Sequence, residues 1–253
     1  MKKKLIILTA FILFTQNIFS NERHFSYTYE SNILAPQMKE IEVWNTFRNE
    51  RENFYKRIDQ RIEFEIGVCE NLQTAFYLNS TNKLNHKNEK ENSIGFSNEW
   101  KYKLSDNVAD IFGSSIYGEF GISTEEIEFE GKIILDKQIG NNLFALNLVS
   151  EKEIETEVSH ENSNTEVENK TIDITEIDFG YSYKINNSFS IGVEGKHHIK
   201  SEDNEQFTAT FFGPTFSYST ESWWTVVTVI PQLTKEFKKH EKLETRILFS
   251  YHI

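Results

Sequence analysis

The side chains with the most chemistry to offer in this chain are charged, and over several stretches they occupy every second position. Arg57, Asp59, Arg61, Glu63 and Glu65 alternate with Ile58, Ile62, Phe64 and Ile66, and only Gln60 interrupts the apolar set. Glu99, Lys101 and Lys103 alternate with Trp100, Tyr102 and Leu104, and Glu126, Glu128, Glu130 and Lys132 with Ile127, Phe129 and Ile133. Glu194, Lys196 and His198 oppose Phe189, Ile191 and Val193. A period of two sends neighbouring side chains to opposite faces of a strand. Arg57, Arg61, Glu63, Glu65, Glu99, Lys101, Lys103, Glu126, Glu128, Glu130, Lys132, Glu194 and Lys196 are therefore expected to converge on one interior. Such an interior either lines an aqueous path and biases what passes, or pairs charge with charge to fill a closed lumen.

Other chemistry is poorly supported. Glu126, Glu128 and Glu130 stand in a row and call for cations, solvent or a basic neighbouring strand, but no metal site and no cofactor is assigned. His197 and His198 point to opposite faces of one strand, so they cannot share a metal from inside; His24, His86, His160, His240 and His252 are scattered. A serine nucleophile needs a base within hydrogen-bond reach. The nearest candidate, His197-His198-Ile199-Lys200-Ser201, sits at the mouth of a loop, and no GxSxG elbow exists. The chain is accordingly read as non-enzymatic, with an outer-membrane lipid hydrolase as the catalytic alternative. Cys69 is the only cysteine, which excludes an intramolecular disulfide and a paired-cysteine zinc cluster.

The elements that must position these charges are strands. Period-two segments fall at about 40–48, 55–68, 71–79, 94–104, 109–122, 126–139, 142–154, 170–185, 188–198, 206–219, 223–234 and 242–253, about twelve in all, an even number as single-chain bacterial barrels have. Many have the roughly 9 to 11 residues that a tilted strand needs to cross a bilayer, against about five or six in soluble proteins. Tight connections such as Gly140-Asn141-Asn142 and Asn186-Asn187 are interleaved with long polar ones, Ser80 to Ser93 and Glu155 to Asn169. No segment past residue 20 approaches the ~18 consecutive apolar residues of a helical span.

Lys2, Lys3 and Lys4 precede the apolar run Leu5 to Phe14 and the small residue Ser20, the pattern of a cleaved secretory signal over 1–20. Residues 21–38 then form an N-terminal periplasmic segment, which the sequence leaves free to stay outside or to plug the lumen, and 39–253 the barrel. Losing the three leader lysines takes the formal charge from −12 to −15. A protein that neutralises phosphates would be basic, so nucleic acid is not an expected partner.

The final strand alternates Ile247, Phe249, Tyr251 and Ile253 to the last residue. It resembles the C-terminal signature of outer-membrane barrels read by the barrel-assembly machinery, which usually ends in Phe or Trp where this chain has Ile253. The hairpin Phe211-Phe212-Gly213-Pro214-Thr215-Phe216-Ser217-Tyr218 with Trp223-Trp224-Thr225-Val226-Val227, and the start Tyr29-Glu30-Ser31-Asn32-Ile33-Leu34, are similar to those of uncharacterised, porin-like outer-membrane β-barrel families of Gram-negative bacteria. The resemblance implies an all-β fold, an antiparallel up-and-down transmembrane β-barrel of about twelve strands, with outer-membrane lipid and the assembly machinery as partners. It brings no catalytic residues. The function expected is a passive or weakly selective channel, with a closed structural or surface-interaction barrel acting through its loops as the alternative. Trp100, Tyr102, Phe249 and Tyr251 are expected at the membrane interface. The oligomeric state is not set by the sequence.

Overall fold

The computed structural model describes residues 22–161 and 164–253. The leader over 1–20 and Asn21 lie outside the described residues, as does the side chain of His160. Twelve strands follow one another: β1 Lys39–Asn49, β2 Tyr55–Cys69, β3 Leu72–Asn85, β4 Lys90–Ser105, β5 Gly113–Ser123, β6 Glu126–Ile139, β7 Asn142–Glu161, β8 Asn164–Lys184, β9 Phe189–Glu202, β10 Glu205–Ser219, β11 Trp223–Pro231 and β12 Leu243–His252. Each pairs antiparallel with its sequence neighbour, and β1 pairs with β12 from Glu40↔His252 to Asn49↔Leu243, closing the barrel. Closure leaves no edge strand to template aggregation.

The alternation sets the two faces. On β2, Glu63 and Glu65 are buried while Ile58 and Ile62 stand out, and on β4 Glu99 and Lys101 are buried while Trp100 and Tyr102 stand out. Ile41, Phe76, Phe96, Phe120, Phe129, Ile133, Leu148, Ile177, Phe212, Phe216 and Phe249 continue this exposed apolar surface around the wall. Water would not tolerate so continuous a belt; hydrocarbon requires it. Leu148 lies between Ile133 on β6 and Ile177 on β8 in that belt. Leu148→Arg is expected to lower barrel stability by about 2–4 kcal/mol if it sits near the midplane, read by urea unfolding in phospholipid vesicles; an unchanged midpoint would contradict the lipid-facing assignment.

Two corrections concern the polar connections. Ser80 to Ser93 is mostly ladder, with only residues 86–89 between β3 and β4, and β7 similarly carries Glu155 to Glu161 and β8 Asn164 to Asn169. Pairing of backbone groups holds these strands, helped nearer the wall by Lys152 and Asp173 at 3.0 Å between β7 and β8 and by Lys83 of β3, 3.2 Å from Glu125 in the β5–β6 turn. At the far end of β9 the reversal is made by Asp203 and Asn204 alone, both at positive φ, the two-residue hairpin geometry those residues accept.

Of the two places the sequence left open to the N-terminal segment, the structure has the second: residues 22–34 run inside the barrel before the chain turns into β1. Phe25, Tyr27, Tyr29 and Leu34 are all buried. Tyr29 packs with Trp44, Tyr117, Ile134, Trp224, Val226 and Leu248, Tyr27 with Ala209, Phe211 and Ile230, and Phe25 with Leu143 and Ala145. A Cβ at Gly180 would come within 2.8 Å of the Phe25 ring, so that glycine makes the close approach possible. The segment carries enough apolar surface to make leaving it in water unfavourable.

Candidate functional site

Wall side chains hold the segment in place by standing in for backbone partners. Asn147 Oδ1 accepts the Tyr29 N–H at 2.6 Å and its Nδ2 donates to the Tyr29 carbonyl at 2.9 Å. Glu194 accepts from Tyr27 N–H and Ser26 Oγ, both at 3.3 Å, Asp136 from Ser31 N–H at 3.2 Å, and Gln73 from Leu34 N–H at 2.8 Å. With its polar backbone satisfied in this way, an irregular segment can remain buried.

Above it lies a vestibule of about 790 Å³ whose floor includes Tyr27, Tyr29 and Trp44. Its two sides differ in charge balance, one largely neutralised and the other acidic. Arg48, Arg57, Arg61 and Arg246 come from β1, β2 and β12 and are well partnered. Arg48 Nε and Arg57 Nε meet Asp59 at 2.9 and 2.6 Å, Arg61 Nη2 meets Glu119 at 3.2 Å, and Arg246 lies over the Tyr27 ring at 4.0 Å. Across the lumen β6 and β7 present Glu126, Glu128, Glu130, Glu151, Glu153 and Glu155, in direct register as Glu126↔Glu155, Glu128↔Glu153 and Glu130↔Glu151. Carboxylate oxygens of Glu126, Glu153 and Glu155 lie within 4.8 Å of one another, as do those of Glu128, Glu130 and Glu151. Among the described residues the ion pair made by this ladder is Lys132 to Glu130 at 2.8 Å.

Like charges placed directly across a ladder destabilise it. Six facing one cavity make a field that favours cations over anions.

The structure distributes the sequence-expected residues over three levels. Arg57, Arg61, Glu126, Glu128, Glu130, Lys132 and Lys196 line the vestibule. Glu63, Glu65, Glu99, Lys101 and Glu194 are buried in the lower lumen around the segment, and Lys103 pairs with Asp106 at the turn end at 2.8 Å. Sequence reading missed Glu151, Glu153 and Glu155, although they alternate with Lys152 and Ile154; Lys152 on the outer face hides the pattern. It also missed Arg48 and Arg246, isolated on otherwise apolar or polar strands. Trp100, Tyr102, Phe249 and Tyr251 stand on the outer wall, each between 43% and 48% exposed.

Loop 232–242 folds over the mouth. His240 is buried there, its Nδ1 2.7 Å from Glu236 Oε2 and its ring 5.0 Å from that of His198, whose own Nδ1 lies 2.8 Å from Glu176. Burial holds the His240 pKa below its ordinary value against the pull of Glu236 and Glu241, with His198 adding to the fall. Burial works to raise Glu236, but the His240 bond and the Lys239 and Lys238 amides outweigh it and hold that carboxyl low. Both folded values are depressed, so the stability they contribute is present at neutral pH and lost as pH falls, first through the histidine range. Amide exchange over 236–240, corrected for intrinsic rates, is expected to rise between about pH 7 and 5; a flat profile would contradict this coupling.

The fold has solved counterparts. The COG4313 outer-membrane channel from Pseudomonas putida F1 aligns with a TM-score of 0.64 at 11% identity over 90% of this chain and 100% of that one. The β domain of the Bordetella autotransporter BrkA aligns at 0.61 with 6% identity over 86% and 100%, and the NanC porin at 0.55 with 13% identity over 84% and 100%. At such identities the likeness is one of fold. No curated protein matches the sequence. Residues 17–247 match the model of a protein family described as of unknown function.

Proposed function

Since the chain belongs to DUF6662, a family of unknown function, we propose its role from its geometry: an outer-membrane barrel whose vestibule gathers cations and whose passage is governed by its own N-terminal segment. The observation that carries this reading is the six-glutamate ladder of β6 and β7, which faces the vestibule with Lys132 as its ion-pair partner among the described residues. The apolar belt and the even number of strands support a bilayer location. So do two fold neighbours, an outer-membrane channel and a porin. The role is passive and non-catalytic. His197 meets Thr210 at 2.9 Å rather than Ser201. Export through the leader, folding by the barrel-assembly machinery and insertion among outer-membrane lipids belong to the same proposal.

The floor of Tyr27, Tyr29 and Trp44 favours a second reading, in which the vestibule holds cationic ligands at the cell surface without passing them. Reversal potentials in planar bilayers under a potassium chloride gradient test the first reading. Cation preference supports it, anion preference overturns it, and a folded barrel that stays silent even with residues 22–34 removed leaves the second reading standing.

A further inference from the structure

Beneath the floor, β1, β2 and β4 turn five glutamates into one sealed space: Glu40, Glu42, Glu63, Glu65 and Glu99, none more than 6% exposed. Register places Glu40 opposite Glu65 and Glu42 opposite Glu63, while the small Ala75 separates Glu65 from Glu99 in the next rows. Carboxylate oxygens of Glu40, Glu42 and Glu65 lie within 4.8 Å of one another. Some of this group is satisfied. The Ser250 hydroxyl donates to Glu40, His252 Nδ1 stands 3.4 Å from it, and Trp44 Nε1 donates to Glu42 at 2.7 Å. Yet Oε2 of Glu63, of Glu65 and of Glu99 is buried and accepts no hydrogen bond. Glu99 lies outside the close triad and, with Glu65, lines a small cavity of about 20 Å³, room for one water-sized occupant.

The charges do not balance. Arg23 and Lys101 stand among these carboxylates and both direct their hydrogen bonds to backbone, while Arg61 and Lys132, which act on Glu63 and Glu99, are already paired with Glu119 and Glu130. Arg23 donates to the Ser26 carbonyl and lies over Tyr29 and Trp44, at 4.2 and 4.8 Å. Lys101 Nζ donates to the Asn32 carbonyl at 2.6 Å. Buried carboxylates without partners are costly. An all-oxygen set converging from neighbouring strands is what a hard divalent cation takes.

We propose that the lower lumen binds one calcium-class divalent cation through Glu40, Glu42 and Glu65, with Glu63 and Glu99 supporting it, so that the ion braces β1 against β2 beneath the N-terminal segment. This site is separate from the vestibule ladder and does not depend on whether the barrel conducts. Its chemistry also makes it measurable, because the Trp44 indole bonded to Glu42 would stand beside the ion and sensitise a lanthanide bound there.

The experiment titrates terbium into the refolded full chain after chelator treatment and excites tryptophan. Expected is sensitised emission saturating at one ion per chain, displaced by calcium at about micromolar concentration, and lost in Glu65→Gln but kept in the vestibule variant Glu128→Gln/Glu153→Gln. Heat-modifiable migration on a gel reports that each variant is folded. Should Glu65→Gln fail to fold, Glu99→Gln is expected to weaken calcium binding by roughly tenfold or more. No emission from the folded wild type means that the carboxylates hold protons instead, and overturns the proposal. So does emission lost in the vestibule variant and kept when Glu65 or Glu99 is changed, which would mark an adventitious ion only.

Discussion

Removing residues 22–34 is expected to turn a barrel that rarely conducts into one with steady single-channel steps, raising mean conductance by roughly an order of magnitude or more, since a barrel of this size holds open water only when nothing fills it. The residues removed contribute Phe25, Tyr27, Tyr29 and Leu34 to the lower lumen, together with the backbone groups clamped by Asn147, Glu194, Asp136 and Gln73. Losing each buried aromatic costs about 3–5 kcal/mol in an ordinary core. The closed ring of antiparallel pairs is untouched, so the wall should still assemble. Tyr29→Ala is the milder version, because it takes one ring away from Trp44, Tyr117 and Trp224 and leaves the segment tethered; brief openings are expected. A truncated barrel that is folded, inserted and silent would mean that the wall side chains alone close the lumen.

Neutralising the ladder in the truncated barrel, with Glu128, Glu151 and Glu153 changed to Gln, is expected to bring the reversal potential in a salt gradient close to zero. Two like charges separated by about 5 Å repel by about 3 kcal/mol at an effective dielectric constant near 20, and the ladder sets its carboxylates within 4.8 Å in two groups. Only counter-ions or protons relieve that repulsion, and counter-ions held there are the source of cation preference. The same substitutions should stabilise the barrel against urea, by up to about 1 kcal/mol for each like-charged pair relieved. Selectivity that falls while stability rises would identify the ladder as functional rather than structural. Arg48, Arg57 and Arg61 are partnered by Asp59, Glu244 and Glu119, so charge at the opposite wall is largely cancelled and cannot replace what the ladder provides.

The barrel was legible because period two survives wherever one face meets lipid. Ile58 to Val68 and Ile127 to Leu135 mark their strands without help from tertiary structure. It failed where both faces are polar. The tips of β3, β4, β7 and β8 read as loops, since a ladder held by backbone pairing leaves no pattern in the side chains. The ladder's β6 half could be read from Glu126, Glu128 and Glu130, but its β7 half sat beside Lys152 on the outer face and the match between the two halves is a matter of register. Nor could the sequence decide where Tyr27 and Tyr29 go. Burial of Tyr29 depends on Trp44, Tyr117 and Trp224, and that of Tyr27 on Ala209, Phe211 and Ile230, residues of separate strands that meet only when the barrel closes.

Single-channel recording of the intact chain in a salt gradient tests most directly the claim that an acidic vestibule stands above a floor sealed by the protein's own N-terminal segment. A closed baseline broken by rare, brief, cation-preferring openings is the predicted record. Steady large conductance from the intact chain, or openings that prefer anions, would contradict it.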